Sequence, residues 1–210
     1  MPWWIGFSHM DNLALPAGVL LTPGAGAGRD QPALVAIDEI LSARGVPVER
    51  IDFPYRLAGR RSPDPQHVLL ATVVSAATAF AGELGVDPGA LALGGRSLGG
   101  RICSIAVAAG LPAAGLVLIS YPLHPPGKPE RLRTEHFDKL ELPCLFVSGT
   151  RDNFATPAEL QRETTAIPGP VTHAWIDGAD HGIGGHDSEV ATLVSQWMSD
   201  TYGGETPARR

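Results

Sequence analysis

Residues 91–100 read LALGGRSLGG, and this stretch decides the fold. An apolar run of strand character (Leu91, Ala92, Leu93) passes through glycines into Ile102, Ile105 and Ala106, which recur at helical spacing. Gly95, Ser97 and Gly99 form a G-x-S-x-G pattern across this strand–turn–helix junction. A serine on so sharp a turn must adopt a strained backbone to lift its hydroxyl clear of the sheet edge. Only small residues two positions before and after it leave room for that. The helix N-terminus that follows favours an oxyanion developing beside the serine. Taken alone, the pattern also fits a glycine-rich turn with an inert serine.

Working outward, short apolar runs alternate with longer helical patterns. The expected strands are 19–22, 46–53, 91–94, 115–120, 144–148 and 171–176. They are continuous apolar runs, as strands covered on both faces are. Leu34, Ile37, Ile40 and Leu41 mark one helix, with Gly45 as its stop. Residues 67–81 are apolar nearly all round, which predicts a deeply packed helix entered through Asp64 and Pro65. Thr156, Pro157 and Glu159 form a capping box, and Val190, Leu193, Val194, Trp197 and Met198 stripe a last helix. The alternation predicts a three-layer α/β fold: a mostly parallel sheet of about six strands with helices on both faces. Residues 121–143 are irregular and proline-rich, too short for a folded domain, and suited to a fixed wall or minimal cap over a site. We expect one domain over 15–202, an uninformative segment over 1–14, in which Ser8-His9-Met10 could be a cloning remnant, and a frayed tail over 203–210.

The composition narrows the function. Acidic residues outnumber basic ones 22 to 16, for a net charge of −6. That argues against a nucleic-acid partner, whose phosphate backbone needs an extended basic face. Arg60, Arg61, Arg131 and Arg133 read as scattered, solvated charges. Cys103 and Cys144 sit in apolar stretches, with no disulfide framework, which points to a reducing cytoplasm. No signal peptide is legible, and no run approaches the roughly 18 uninterrupted apolar residues that would span a membrane. A monomer or homodimer acting on a small molecule is the expectation.

A serine hydroxyl needs a base, and the base needs an orienting carboxylate. LFVSGTRD at 145–152 places Asp152 just past a strand, and WIDGADHG at 175–182 places His181 just past the next. With Ser97, all three fall at the C-terminal edge of the sheet, where open α/β folds bind ligands. Asp177 and Asp180 compete for the acid role. Asp180 neighbours His181 in sequence, a poor geometry for a hydrogen bond, and Asp177 suits a turn former, so Asp152 is preferred. His9, His67, His124, His136 and His173 lie in loops, near helix starts or within a strand pattern. His181 and His186 with Asp187 raise a metal reading, but no third partner stands at ligand spacing, so no metal is expected. LTPGAGAG at 21–28 lacks the lysine and hydroxyl of a phosphate loop. It suits instead a loop that supplies one oxyanion N–H, from Ala25 or Gly26, while Leu98 supplies the other.

These motifs carry a resemblance. The chain looks like the compact α/β-hydrolases related to dienelactone hydrolases, through GAGAG (24–28), DFPY (52–55), GGRSLGGR (94–101), YPLHPPGKPE (121–130) with LRTEH (132–136), GTRD (149–152) and DHG (180–182). The resemblance spans roughly residues 18–200 and implies a catalytic Ser97–His181–Asp152 triad, no cofactor, and hydrolysis of a carboxylic ester or thioester. Two other readings stay open: acyl transfer by the same residues, or a non-catalytic interaction module that kept the fold. The chain departs from typical dienelactone hydrolases in carrying Ser97 where they carry cysteine, and in opening its oxyanion loop with Pro23-Gly24 in place of His-Gly.

Overall fold

The computed structural model describes residues 15–203, so the expectations for 1–14, including His9, and for 204–210 lie outside the described residues. Six strands form one sheet: β1 (Gly18–Thr22), β2 (Val48–Arg50), β3 (Leu91–Arg96), β4 (Gly115–Ile119), β5 (Cys144–Gly149) and β6 (Val171–Ile176). They lie in the order β2-β1-β3-β4-β5-β6, and every neighbouring pair is parallel. Each parallel step needs a crossover, which the helices supply: α1 (Pro32–Ser42), α2 (Pro54–Leu57), α3 (Gln66–Leu84), α4 (Leu98–Ala108), α5 (Pro157–Glu163) and α6 (Asp187–Tyr202).

The strand side chains alternate between two cores. Leu20, Leu93, Leu118 and Phe146 face α3, α4, α5 and the 121–140 loop, whereas Leu21, Ala92, Val117 and Val147 face α1 and α6. Burial on both faces explains why the strands read as unbroken apolar runs.

Two local expectations change. The strand expected over 46–53 is only Val48–Arg50: Ile51 still donates its N–H to Leu21, but Phe53 already caps α2, which opens at Pro54. Phe53 and Tyr55 turn inward instead, their rings stacked 6.2 Å apart in the core. The helix expected to be deeply packed, α3, buries only the stripe of Leu69, Val73, Ala77, Phe80 and Ala81. Ala71, Val74, Ser75, Thr78 and Ala79 face outward. Small side chains made its composition apolar without making its whole surface greasy. By length and hydropathy α3 could cross a membrane, but here its apolar stripe packs on the sheet. It starts from Pro65, while Asp64 pairs with Arg60 at 2.6 Å instead of capping. The capping box at Thr156 and Glu159 forms as expected.

Candidate active site

Ser97 sits between β3 and α4 with φ 50° and ψ −113°, a positive φ that a side chain adopts only under constraint. The constraint is close packing against β1. A Cβ on Gly95 or on Gly99 would collide with the Thr22 backbone and hydroxyl, so the turn closes only with glycine at both places. Thr22 is itself held, its hydroxyl donating to the Gly94 carbonyl at 2.9 Å.

The structure brings together the three residues that lie apart in sequence. Ser97 Oγ is 2.9 Å from His181 Nε2. His181 Nδ1 is 2.8 Å from Asp152 Oδ2 and 3.0 Å from Oδ1. With Nδ1–H donating to the carboxylate, Nε2 is left with its lone pair toward the serine hydroxyl. Asp152 is 1% exposed, and its Oδ1 also accepts the Phe154 N–H at 2.8 Å. Asp152 is therefore fixed by both His181 and its own loop.

The competing acids are occupied elsewhere. Asp180 Oδ1 accepts the Gly182 N–H at 2.7 Å, shaping the turn that carries His181. Asp177 accepts from the Thr150 hydroxyl at 3.2 Å. His186 Nδ1 meets Glu189 at 2.8 Å, which takes it away from a pairing with His181. His136 bonds Ser104 and His173 bonds Thr164, both outside the triad.

Two residues that sequence reading missed hold the base. Arg96, beside the serine, donates from Nη2 to the carbonyls of His181 at 2.6 Å and Gly182 at 3.0 Å. Burial lowers the Arg96 guanidinium below its ordinary value, and Asp152 leads the charges that oppose this. Phe154 stacks on the His181 ring, and its carbonyl accepts the His124 N–H at 3.2 Å. The 121–143 stretch is thereby tied to the wall of the site.

The Pro23-Gly24 loop is fixed from several sides. Gln31 accepts the Gly24 N–H at 3.0 Å, and the buried Tyr55 donates its hydroxyl to the Ala25 carbonyl at 2.9 Å. The Gly24 carbonyl accepts from Ala27, so the planar peptide turns the Ala25 N–H the opposite way. Among the described residues, neither the Ala25 nor the Leu98 N–H has a protein acceptor. At Leu98 this is the usual condition of a first-turn helical N–H. Gly26, the alternative to Ala25, is exposed.

Cys103 and Cys144 are buried and unpaired, and burial pushes both thiols up to about 12. Neither is a nucleophile at neutral pH. A groove of about 550 Å³ between β6 and α6, lined by Leu145, Ala174, Leu193 and Trp197, includes none of the triad.

The family model of the alpha/beta hydrolase domain matches residues 16–201. Among solved structures, Est1E from Butyrivibrio proteoclasticus with ferulic acid bound is 16% identical, with a TM-score of 0.72 over 92% of this chain and 92% of that one. A monoacylglycerol lipase from Paleococcus ferrophilus is 17% identical, with a TM-score of 0.70 over 90% and 97% of the two chains. An alpha-beta serine hydrolase homologue from Coxiella burnetii is 16% identical, with a TM-score of 0.70 over 89% and 86%.

Proposed function

Because this chain belongs to the alpha/beta hydrolase family, we propose that it is a serine hydrolase cleaving carboxylic-ester or thioester bonds of a small substrate. The observation that carries this reading is the unbroken hydrogen-bond chain from Ser97 Oγ through His181 to the buried Asp152. Relatives that share the fold include a monoacylglycerol lipase, which supports ester chemistry.

The steps follow from the geometry. His181 Nε2 takes the hydroxyl proton as Ser97 Oγ attacks the acyl carbon. The carbonyl oxygen becomes an oxyanion, which the N–H groups of Leu98 and Ala25 stabilise. Asp152 holds the imidazole and stabilises its charged form. His181 then returns the proton to the leaving oxygen or sulfur, leaving an acyl-Ser97 ester. A water activated by the same ring attacks that ester and frees the acid and the serine. The base must be neutral to begin, so turnover falls on acidification. The buried free cysteines fit a reducing cytoplasm. The resemblance of the motifs over 94–101 and 121–136 to the dienelactone hydrolases supports this reading, with serine proposed in the nucleophile role.

The test is a series of p-nitrophenyl esters of rising chain length, with an acyl thioester alongside. The reading expects a burst of p-nitrophenol stoichiometric with enzyme, followed by steady turnover. No turnover of any member, with the protein folded, would overturn it.

A further inference from the structure

Arg101 and Arg133 take no part in the chemistry above. Arg101 lies in the first turn of α4, where its N–H donates to the Ser97 carbonyl at 3.1 Å. Arg133 lies on the returning limb of the loop after β4. Its backbone N–H donates to Leu123 at 2.9 Å, and its Nη1 reaches the Pro122 carbonyl at 3.4 Å. Its own carbonyl accepts the hydroxyl of Tyr121, which is fully buried. The same loop meets α4 at Arg101, since His136 bonds the Ser104 hydroxyl, which in turn bonds the Arg101 carbonyl. The setting is the sheet edge that carries Ser97.

Among the described residues neither has an ion-pair partner. The arginines in ion pairs among the described residues are Arg50, Arg60 and Arg162. Arg101 Nε is buried with no partner. Glu135, whose charge acts on Arg133, is exposed and makes no hydrogen bond to either arginine. His136 donates from Nε2 to Ser104 Oγ, which passes its own proton to the Arg101 carbonyl. Burial, then the Arg101 charge, pushes His136 down to about 4, so it adds no third charge. Burial and the Arg101 charge likewise hold the Arg133 guanidinium below its ordinary value. Partly desolvated like charges without an ion-pair partner are costly, and folded proteins normally pair them. A chain with 22 acidic residues nonetheless leaves this pair open.

We propose that Arg101 and Arg133 form an anion subsite beside Ser97, which receives a carboxylate or phosphate carried by the substrate. Its role in turnover rests on the proposed hydrolysis, while its binding of an anion does not. Planar guanidinium forks match the oxygens of either group and bind them with paired, charge-assisted hydrogen bonds. The substrate class is then an anionic acyl ester or thioester, with its charge remote from the scissile bond.

Two measurements test this. The first compares kcat/KM for mono-p-nitrophenyl adipate with that for p-nitrophenyl hexanoate, a neutral ester of the same chain length. The wild type should favour the charged ester by about tenfold or more, and the ratio should collapse toward one in Arg101→Met and Arg133→Met. Arg133→Lys should recover part of it, and it serves in place of a methionine variant that fails to fold. The second is calorimetric titration of adipate and of inorganic phosphate, at constant ionic strength, into wild type and variants. Binding lost in the methionine variants supports the subsite, and the anion that binds identifies the source. If the wild type binds neither anion and favours the adipate ester no more than the hexanoate, the subsite is wrong. If it turns over neither these esters nor any member of the chain-length series, the hydrolase reading fails, and titration still decides the subsite.

Discussion

The ring of Phe154 lies face-on against the imidazole of His181, with centroids 3.9 Å apart and planes 25° from parallel. The same residue gives its N–H to Asp152 and takes the His124 N–H on its carbonyl. One residue thus touches both base and acid and ties them to the wall of the site. A stacked aromatic pair contributes about 0.5–1.5 kcal/mol beyond its buried area, which as lost alignment is up to about tenfold in rate. Phe154→Ala should therefore lower kcat by about tenfold and leave KM nearly unchanged, as steady-state kinetics will show. A raised KM at constant kcat would make Phe154 a substrate contact instead.

Arg96 holds the base from the other side. Arg96→Met strips two carbonyls, of His181 and Gly182, of their donor. The Gly182 carbonyl is exposed and can turn to water, but the part-buried His181 carbonyl left unpaired costs about 1–3 kcal/mol. At about 2–4 °C per kcal/mol for a chain of this size, Tm should fall by several degrees, and kcat should fall with it. Arg96→Lys, whose single ammonium lacks the fork, should recover only part of either. Unchanged kcat and Tm in Arg96→Met would remove the positioning role.

The acid assignment predicts an ordering. Asp152→Asn should keep the fold and cut turnover by up to about ten-thousand-fold, because an amide favours the wrong histidine tautomer. Asp177→Asn should cost little, since its carboxylate bonds only the Thr150 hydroxyl. Asp180→Asn should be intermediate, because an amide oxygen can still accept from Gly182. Kinetics at one pH with melting curves alongside will rank them. A larger loss at Asp177 than at Asp152 would overturn the assignment.

Protonation of His136 makes stability depend on pH. Burial holds its folded value to about 4, against 6.5 ordinarily, so the unfolded chain binds a proton that the folded one refuses. Its contribution is unaltered above about pH 6.5 and turns unfavourable as pH falls from there toward 4. Burial lowers His173 as well, in the same sense. His136→Gln keeps an N–H for Ser104 and removes the titration. Its Tm should therefore fall less steeply than wild type between about pH 6.5 and 4.5. Parallel Tm curves would remove His136 from the account.

Legibility in the sequence followed how local each determinant was. The elbow at 95–99, the capping box at 156–159 and the strand–helix alternation are written in short windows, and each forms. Ser97, Asp152 and His181 could be picked because each follows an apolar strand run, which puts each at the same sheet edge. The roles of Arg96, Tyr55 and Phe154 could not be read, although the first two lie inside GGRSLGGR and DFPY, since their partners lie 85, 30 and 27 residues away. Arg133 read as a solvated charge because nothing in its own window reveals Arg101 across the loop. The outer face of α3 misled for a different reason: alanine and valine raise apolarity whether or not anything covers them.

The central claim is that Ser97 is an activated nucleophile. Incubation of the protein with a fluorophosphonate, read by intact mass and peptide mapping, tests it most directly. The account predicts one phosphonyl adduct per chain, on Ser97, and none on a folded Ser97→Ala variant. A wild type that stays unmodified, or an alanine variant that labels equally, would contradict it.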